Sequence, residues 1–485
     1  MSPAPHAAGV PLCLPRALGP SSPLARFRPL VHELAAPPSP VAAFAALRSG
    51  DEPFFLDGAR DHHGQGRYSF LGCDPFLTIR AKGARVVVAT ADGRHEEAGN
   101  PFRVLQHELR RYALPYYPRP LPFVGGVVGY FSYDLKQHVE RLPVTAVDDL
   151  GFPDLALGFY DTVLAYDQLQ GRAFLCALPL PGRPPAEQRV EALAARLRSA
   201  PEPPAPELAG PVAANLRGNF GREEYVAAIS RVKDYIAAGD IFQVNLSQRF
   251  SADLHTDPWA LYRRLRTINP APFAGLLLFR DGVVASASPE RFLRVRGRWV
   301  ETRPIKGTRP RGTTPEEDDR LARELLASEK DRAELVMIVD LERNDLGRVC
   351  SYGTVRVPEL VRLESYATVH HLVSTVIGRL HDTRDTTDLL RATFPGGSIT
   401  GAPKVRSMEI IDELEPTQRA VYTGSIGWIG FDGEMDLNIV IRTYLVRDGM
   451  VHWQVGGGIV ADSDPEAEYQ ETLDKARALR AALGL

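Results

Sequence analysis

Lysine is scarce in this chain. Of its 57 basic side chains only seven are lysine, and the others are arginine, which keeps its charge under any condition a protein meets. Cysteine is scarcer still. Cys13, Cys73, Cys176 and Cys350 stand singly, with no CxxC pair or metal-finger spacing, so nothing points to a disulfide framework and a reducing cytoplasm fits best. No apolar run is long enough to span a bilayer. A net charge of −3 gives no electrostatic case for a nucleic-acid or anionic-membrane partner. The opening segment MSPAPHAAGVPLCLPRALGPSSPLARFRP lacks any acid and holds several arginines, as transit peptides do. Its prolines oppose an amphipathic helix, so residues 1–26 read as a floppy tail.

What is present is ordinary in amount and organised in pattern. With 485 residues, 44% hydrophobic and 24% charged, the chain can bury a large core, or two lobes sharing one. The Pro/Ala-rich stretch SAPEPPAPELAGPVAANLRGNF marks a linker over 199–217 between an N-terminal part, 27–198, and a C-terminal part, 218–485. β-Branched and aromatic runs such as VVVAT, VGGVVGYFSYD, AGLLLFR, GSIGWIGF and LNIVIRTYLV predict strands on both sides of it. REEYVAAISRVKDYIAAGD, PEEDDRLARELLASEKDRAELVMIVD, PKVRSMEIIDELE and PEAEYQETLDKARALRAAL predict helices. Strands cluster and meet at hairpin-like turns such as FDGE at Phe431. An α/β protein of the α+β type follows: two large, mostly antiparallel sheets packed as a sandwich, with helices outside. GGVVGYFSYD (from Gly125) also echoes TGSIGWIGFD (from Thr423), and FLTIR at Phe76 echoes FLRVR at Phe292. These echoes suggest two related sheets packed face to face, with chemistry retained in the second.

Candidate chemistry concentrates in the C-terminal part. ETRPIKGTRPRG sets Lys306 among Arg303, Arg309 and Arg311. It is either one more point charge in an anion-holding loop, or an amine that its cationic neighbours help deprotonate into a nucleophile or base. In SEKDRAELVMIVDLERND, Asp331 and Glu334 share a helix face, and in SDPEAEYQETLDKARAL so do Glu468 and Glu471. Carboxylates on two helices without nearby histidine or cysteine are either solvated surface or ligands for a hard cation, Mg²⁺ before Zn²⁺. FPGGSITGAPK has the outer glycine spacing of a phosphate loop but lacks its Lys-Ser/Thr, leaving a Gly-rich turn into a helix. In QVGGGIVAD, Gly456, Gly457 and Gly458 let a ligand approach the main chain. Arg442, on an apolar strand, wants a carboxylate, whether internal or on a ligand.

Taken together, GDIFQVNLSQRF, SPERF, RPIKGT, KDRAELVMIVDLERNDLGR, VHHLVSTV, FPGGSITGAPKVRSMEIIDELEP and GGGIVADSDPEAEYQET resemble the chorismate-utilising enzymes over nearly all of 218–485. RYSFLGCDP and FVGGVVGYFSYD carry a weaker likeness in the N-terminal part. The resemblance implies a helix-wrapped two-sheet sandwich and Mg²⁺ held by Glu334 and Glu471, with Glu468 close by. It implies substrate contacts at Gly307, Thr308, His371, Thr400, Gly401, Tyr422, Arg442, Gly456, Gly457 and Gly458, and a general acid at Glu290 that protonates the departing C4 hydroxyl. Where water-using members carry an activating lysine, this chain has Gln243, which implies ammonia as the nucleophile. Where anthranilate-forming members read PIAGT, it has Lys306, which resembles the lysine that attacks C2 in members forming 4-amino-4-deoxychorismate for para-aminobenzoate and folate synthesis.

No cysteine-centred amidotransferase motif is present, so a separate glutamine amidotransferase subunit is implied as the ammonia source. No aminodeoxychorismate lyase region accompanies it either. Relatives often carry a serine after a Leu-Leu pair in an N-terminal tryptophan pocket. Here Gly58 stands at its serine position, and Pro272, Phe273 and Ala274 would line it. The competing readings are an anthranilate-forming subunit and a non-catalytic chorismate- or tryptophan-binding subunit.

Overall fold

The computed structural model describes residues 28–58, 65–115, 121–198, 200–366 and 369–485; the expected tail, 1–26, lies outside them. The N-terminal part contributes β1 (Leu30–Glu33), β2 (Phe54–Asp57), β3 (Tyr68–Gly72), β4 (Leu77–Lys82), β5 (Arg85–Thr90), β6 (Gly93–Ala98), β7 (Gly126–Phe131), β8 (Leu155–Tyr160), β9 (Thr162–Asp167) and β10 (Arg172–Ala177). The rest of the chain contributes β11 (Ala213–Gly218), β12 (Gln243–Leu254), β13 (Phe273–Phe279), β14 (Gly282–Ser288), β15 (Arg291–Arg296), β16 (Trp299–Arg303) and β17 (Ile305–Pro310). It continues with β18 (Arg356–Ser365), β19 (Val369–Arg379), β20 (Gly401–Ala402), β21 (Ser425–Gly430), β22 (Met435–Asn438), β23 (Thr443–Arg447) and β24 (Met450–Ile459). The hairpin expected at FDGE joins β21 to β22.

These strands form two antiparallel sheets, as expected. The first runs β1-β10-β9-β3-β2-β13-β14-β23-β24-β12-β11, with β20 on β12; the second runs β17-β19-β16-β15-β22-β21-β7-β8-β4-β5-β6, with β18 on β19. Both orders repeat outward from their middles. β3, β9, β10 and β1 flank β2 as β14, β23, β24 and β12 flank β13. Likewise β8, β4, β5 and β6 follow β7 as β22, β15, β16 and β19 follow β21. The sequence echo is therefore visible in the topology, but its expected placement is corrected. The echoing segments do not lie in facing sheets. They share one sheet, β7 and β21 as neighbours with Gly129 opposite Gly427, β4 and β15 two strands further out on either side, and each sheet takes strands from both parts of the chain. Joining related half-sheets side by side covers an edge on each that would otherwise present unpaired backbone groups.

Between the sheets Phe70 meets Phe123 at 5.4 Å and Trp428 at 6.0 Å, tying the first sheet to the second at their shared centre. A second apolar cluster, with Phe44, Trp259, Tyr262, Trp453 and Leu479, seats the helices Pro258–Ile268 and Pro465–Leu483 on the outer face of the first sheet.

Two local departures follow from backbone chemistry. The predicted linker ends in structure, because no proline stands between Pro211 and the end of β12 and the free N–H groups of β11 pair with β12. The long helical stretch from Pro315 divides into Pro315–Ala327 and Glu329–Gly347. Ser328 has an extended backbone, and its hydroxyl accepts a hydrogen bond from the Asp331 N–H, capping the second helix. Among the described residues no helix is long and apolar enough to cross a membrane.

Candidate active site

The edge strand β17 lies along β19, placing Lys306 opposite Leu372 and Thr308 opposite His371 across a bulge. Gly307 occupies the bulge with φ +74°, a conformation that costs glycine nothing, and a Cβ there would come 2.9 Å from Asp331 and Leu325. Lys306 Nζ lies 3.4 Å from Glu334 Oε2 on the helix Glu329–Gly347. At the end of β24 a Cβ on Gly458 would sit 2.9 Å from that Nζ and 2.4 Å from Gln243 Nε2, so both side chains close over this glycine.

The three arginines expected to act on Lys306 are engaged elsewhere. Arg303 pairs with Glu364 at 2.6 Å, Arg309 with Glu324 at 2.9 Å and Arg311 with Asp318 at 2.6 Å. Each guanidinium is neutralised by its own carboxylate, and the charged group beside the amine is Glu334 instead.

Glu290 lies in the turn between β14 and β15 and is 5% exposed. Burial pushes its carboxyl up to about 7, against the opposing pull of the Ser398 hydroxyl, the Lys306 charge and the Ile305 N–H. A carboxyl so placed holds a proton near neutrality, as a general acid must. Removing the Ser398 hydroxyl deletes a bond that favours the ionised form. In Ser398→Ala we therefore expect the alkaline limb of the pH–rate profile to move to higher pH, as read from kcat/KM against pH. Burial, together with the Glu290 charge, also holds the Glu342 carboxyl well above the usual range, and Thr302 Oγ1 donates to it at 3.1 Å.

Tyr422 and Arg442 flank the same chamber. Burial lowers the Arg442 guanidinium, with Tyr422 and Glu471 pulling the other way, and among the described residues no carboxylate lies within ion-pair distance of it. A half-buried arginine without an ion-pair partner is suited to receive a ligand carboxylate. His371 is buried and pushed down to about 4, so its imidazole is neutral at physiological pH; its Nδ1 lies 2.9 Å from Thr308 Oγ1. Thr400 and Gly401 brace the floor. The Thr400 hydroxyl donates to Gly396 O at 3.0 Å, its carbonyl accepts from the Asn245 N–H at 2.8 Å, and Gly401 pairs with Val244.

Glu468 and Glu471 come from the helix Pro465–Leu483, which starts where Asp464 accepts from the Ala467 N–H at 2.9 Å. Glu468 accepts from Ser463 Oγ at 2.6 Å and lies 3.7 Å from Lys330 Nζ; burial raises its carboxyl. For Glu471 burial pushes upward, but Lys475 at 2.5 Å, with Lys306 and Lys330, outweighs it and holds the carboxyl below its usual range. Among the described residues no group of three His, Cys, Asp or Glu side chains is placed to hold a metal unaided. Lys306 and Lys330 instead link the carboxylates of the two helices. An all-oxygen set of this kind suits Mg²⁺, which takes one or two protein carboxylates and leaves positions for water and substrate.

Lys475 was not anticipated. Its Nζ donates to Gly456 O at 2.9 Å and to Glu471, and burial lowers it. Its i+4 spacing from Glu471 was the available signal.

Gly58, Pro272, Phe273 and Ala274 do come together, lining a cavity of about 240 Å³ where the two sheets are centred. The Arg291 guanidinium lies 4.7 Å over the Phe273 ring there. A Cβ on Gly58 would fall 2.3 Å from Gly66 O and 2.6 Å from Tyr68 O, so a serine does not fit this backbone unshifted.

The chain matches the family described as chorismate binding enzyme over residues 53–481. It is 46% identical over 447 residues to anthranilate synthase component 1 of Thermus thermophilus, covering 92% of this chain and 95% of that one. To aminodeoxychorismate synthase component 1 of Salmonella typhimurium it is 45% identical over 416 residues, covering 85% and 89%. The crystal structure of anthranilate synthase component I from Streptococcus pneumoniae superposes with a TM-score of 0.77 at 32% identity, covering 86% of this chain and 92% of that one.

Proposed function

The chain belongs to the chorismate binding enzyme family, and from that premise we propose that it aminates chorismate at C4 to give 4-amino-4-deoxychorismate. The observation that carries this reading is the position of Lys306, whose amine stands over Gly458 beside Gln243. In the proposed reaction the Lys306 amine gives up a proton, for which Glu334 Oε2 at 3.4 Å is an acceptor within reach, and bonds to C2. Both ring double bonds shift, from C1=C2 and C5=C6 to C1=C6 and C4=C5, the C4–O bond breaks, and Glu290 supplies the proton that lets the hydroxyl leave as water. Ammonia then bonds to C4 and the lysine departs from C2 with its electron pair restored. Arg442 suits a substrate carboxylate, and Gln243, which is no base, leaves water without an activator.

Glu334 and Glu471, with Glu468 behind them, would hold Mg²⁺. When bound, the ion supplies positive charge for a substrate carboxylate. We expect Glu471→Ala to raise the Mg²⁺ concentration needed for half-maximal rate by on the order of tenfold or more, as read from Mg²⁺ titrations at fixed chorismate. Ammonia would come from a separate glutamine amidotransferase subunit, a reading supported by the "component 1" names of the relatives.

A second reading, anthranilate formation, is favoured by the relatives of that name at similar identity. Incubating the protein with chorismate, Mg²⁺ and ammonium separates the two. Aminodeoxychorismate is expected by mass, whereas accumulation of fluorescent anthranilate would overturn the proposal.

A further inference from the structure

We infer that the inner face of β12 and β24 is a passage carrying neutral ammonia from the surface near Arg249 to the floor of the chamber at Gln243 and Lys306. This rests on the amination reading above. The two strands pair with Asn245 opposite Gly458, Ser247 opposite Gly456, Arg249 opposite Gln454 and Ser251 opposite His452. Gln248 donates to Thr472 on the helix Pro465–Leu483 and Phe250 stacks on Trp453 in the outer cluster, so strand alternation sets Val244 and Leu246 outward with them and turns Gln243, Asn245, Ser247 and Arg249 inward. The inward side of a strand within a sandwich is ordinarily apolar. Here it is polar along its length, and Gln243, Asn245 and Gln454 are 1%, 9% and 3% exposed.

Their amide oxygens carry the argument. Among the described residues Gln243 Oε1, Asn245 Oδ1 and Gln454 Oε1 are buried and accept no hydrogen bond from the protein. Buried acceptors are nearly always satisfied, so three along one face suit a small donor molecule that passes between them. Gln454 is held in this orientation, because its Nε2 donates to Ser247 Oγ at 2.8 Å, which in turn donates to Glu415 at 2.7 Å. Behind Tyr422 lies a cavity of about 10 Å³, lined by Arg249, Thr443, His452 and Gln454 among others, with room for about one water-sized molecule.

At the outer end the buried Arg249 is anchored to Asp149, the side chain of which is 42% exposed. Asp149 neutralises this guanidinium, so the mouth carries no unpaired charge from Arg249 and suits an uncharged guest such as ammonia. His452, pushed down to about 4 by burial and by Arg249, adds no charge of its own at neutral pH. At the inner end the Gln243 amide meets Lys306 over Gly458.

The test is steady-state kinetics of the full chain with chorismate, Mg²⁺ and ammonium chloride at fixed pH. Asn245→Leu and Gln454→Met keep side-chain size while deleting an acceptor. Each is expected to raise the KM for ammonium about tenfold, with the chorismate KM and the rate at saturating ammonium changed by less than about twofold. Leu445→Phe, which fills the small cavity from its apolar wall, is expected to do the same and serves if an amide variant fails to fold. An unchanged ammonium KM, as for a row that holds structural water only, overturns the passage, as does a parallel rise in both KM values. Wild-type protein that makes no aminated product overturns the amination reading and the passage together, whereas wild-type amination with an unchanged ammonium KM in the variants overturns the passage alone.

Discussion

Lys306→Ala is expected to lower kcat for amination by on the order of 10³-fold or more, because no other amine on β17 reaches the chamber floor and a nucleophile cannot be replaced by proximity alone. Chorismate affinity in the presence of Mg²⁺ should stay within about threefold, since Arg442, His371 and the acidic helices are untouched. The measurement is a single-turnover assay alongside equilibrium binding of chorismate. Near-wild-type turnover would reduce Lys306 to a loop charge beside Glu334. Trapping offers an independent check. Protein quenched during turnover should carry added mass on the peptide containing Lys306, and the alanine variant should carry none.

Glu290→Gln is expected to cost on the order of 10²- to 10⁴-fold in kcat, the usual worth of a positioned general acid. The same assignment fixes the sign of the pH dependence. Glu290 acts while protonated, and its carboxyl lies at about 7 rather than in the ordinary range near 4.5. With neutral ammonia held at saturation, the Glu290 proton should therefore contribute a limb that is flat below pH 7 and falls about tenfold per pH unit above it. The glutamine variant, which has no proton to lose there, should show a low rate without that limb. Burial also has a stability consequence. A carboxyl raised in the folded state binds its proton more tightly than in the unfolded chain, so its contribution to stability is full below pH 4.5 and is lost as pH rises toward 7. A stability profile lacking that decline would contradict the burial argument.

Much of this was legible before the structure. Alternating and hairpin-joined strands announced two antiparallel sheets, because burial of one face writes itself into every second residue. Pairing partners leave no such mark, and so the echoing segments were expected in facing sheets when they share a single one. The site followed a similar division. Resemblance named Glu290, Lys306, Glu334 and Glu471, and the chain brings the three carboxylates within the electrostatic reach of the Lys306 amine. The arginines around Lys306 were misjudged because closeness along a loop says nothing of which carboxylates arrive from other elements. Glu364, Glu324 and Asp318 reach them from β18 and the helix Pro315–Ala327. Lys475 was overlooked for the complementary reason: an ordinary helix-surface pair on paper is, in space, a contact with the carbonyl of Gly456.

The seams of the sandwich set conditions on its birth. β2 meets β13 and β7 meets β21, each pair drawn from segments more than two hundred residues apart. A ribosome releasing the first two hundred residues releases two unfinished sheets whose raw margins stay open until their counterparts emerge. Assembly of the chamber thus waits for the last third of translation, and the interval is when this chain is most exposed to aggregation.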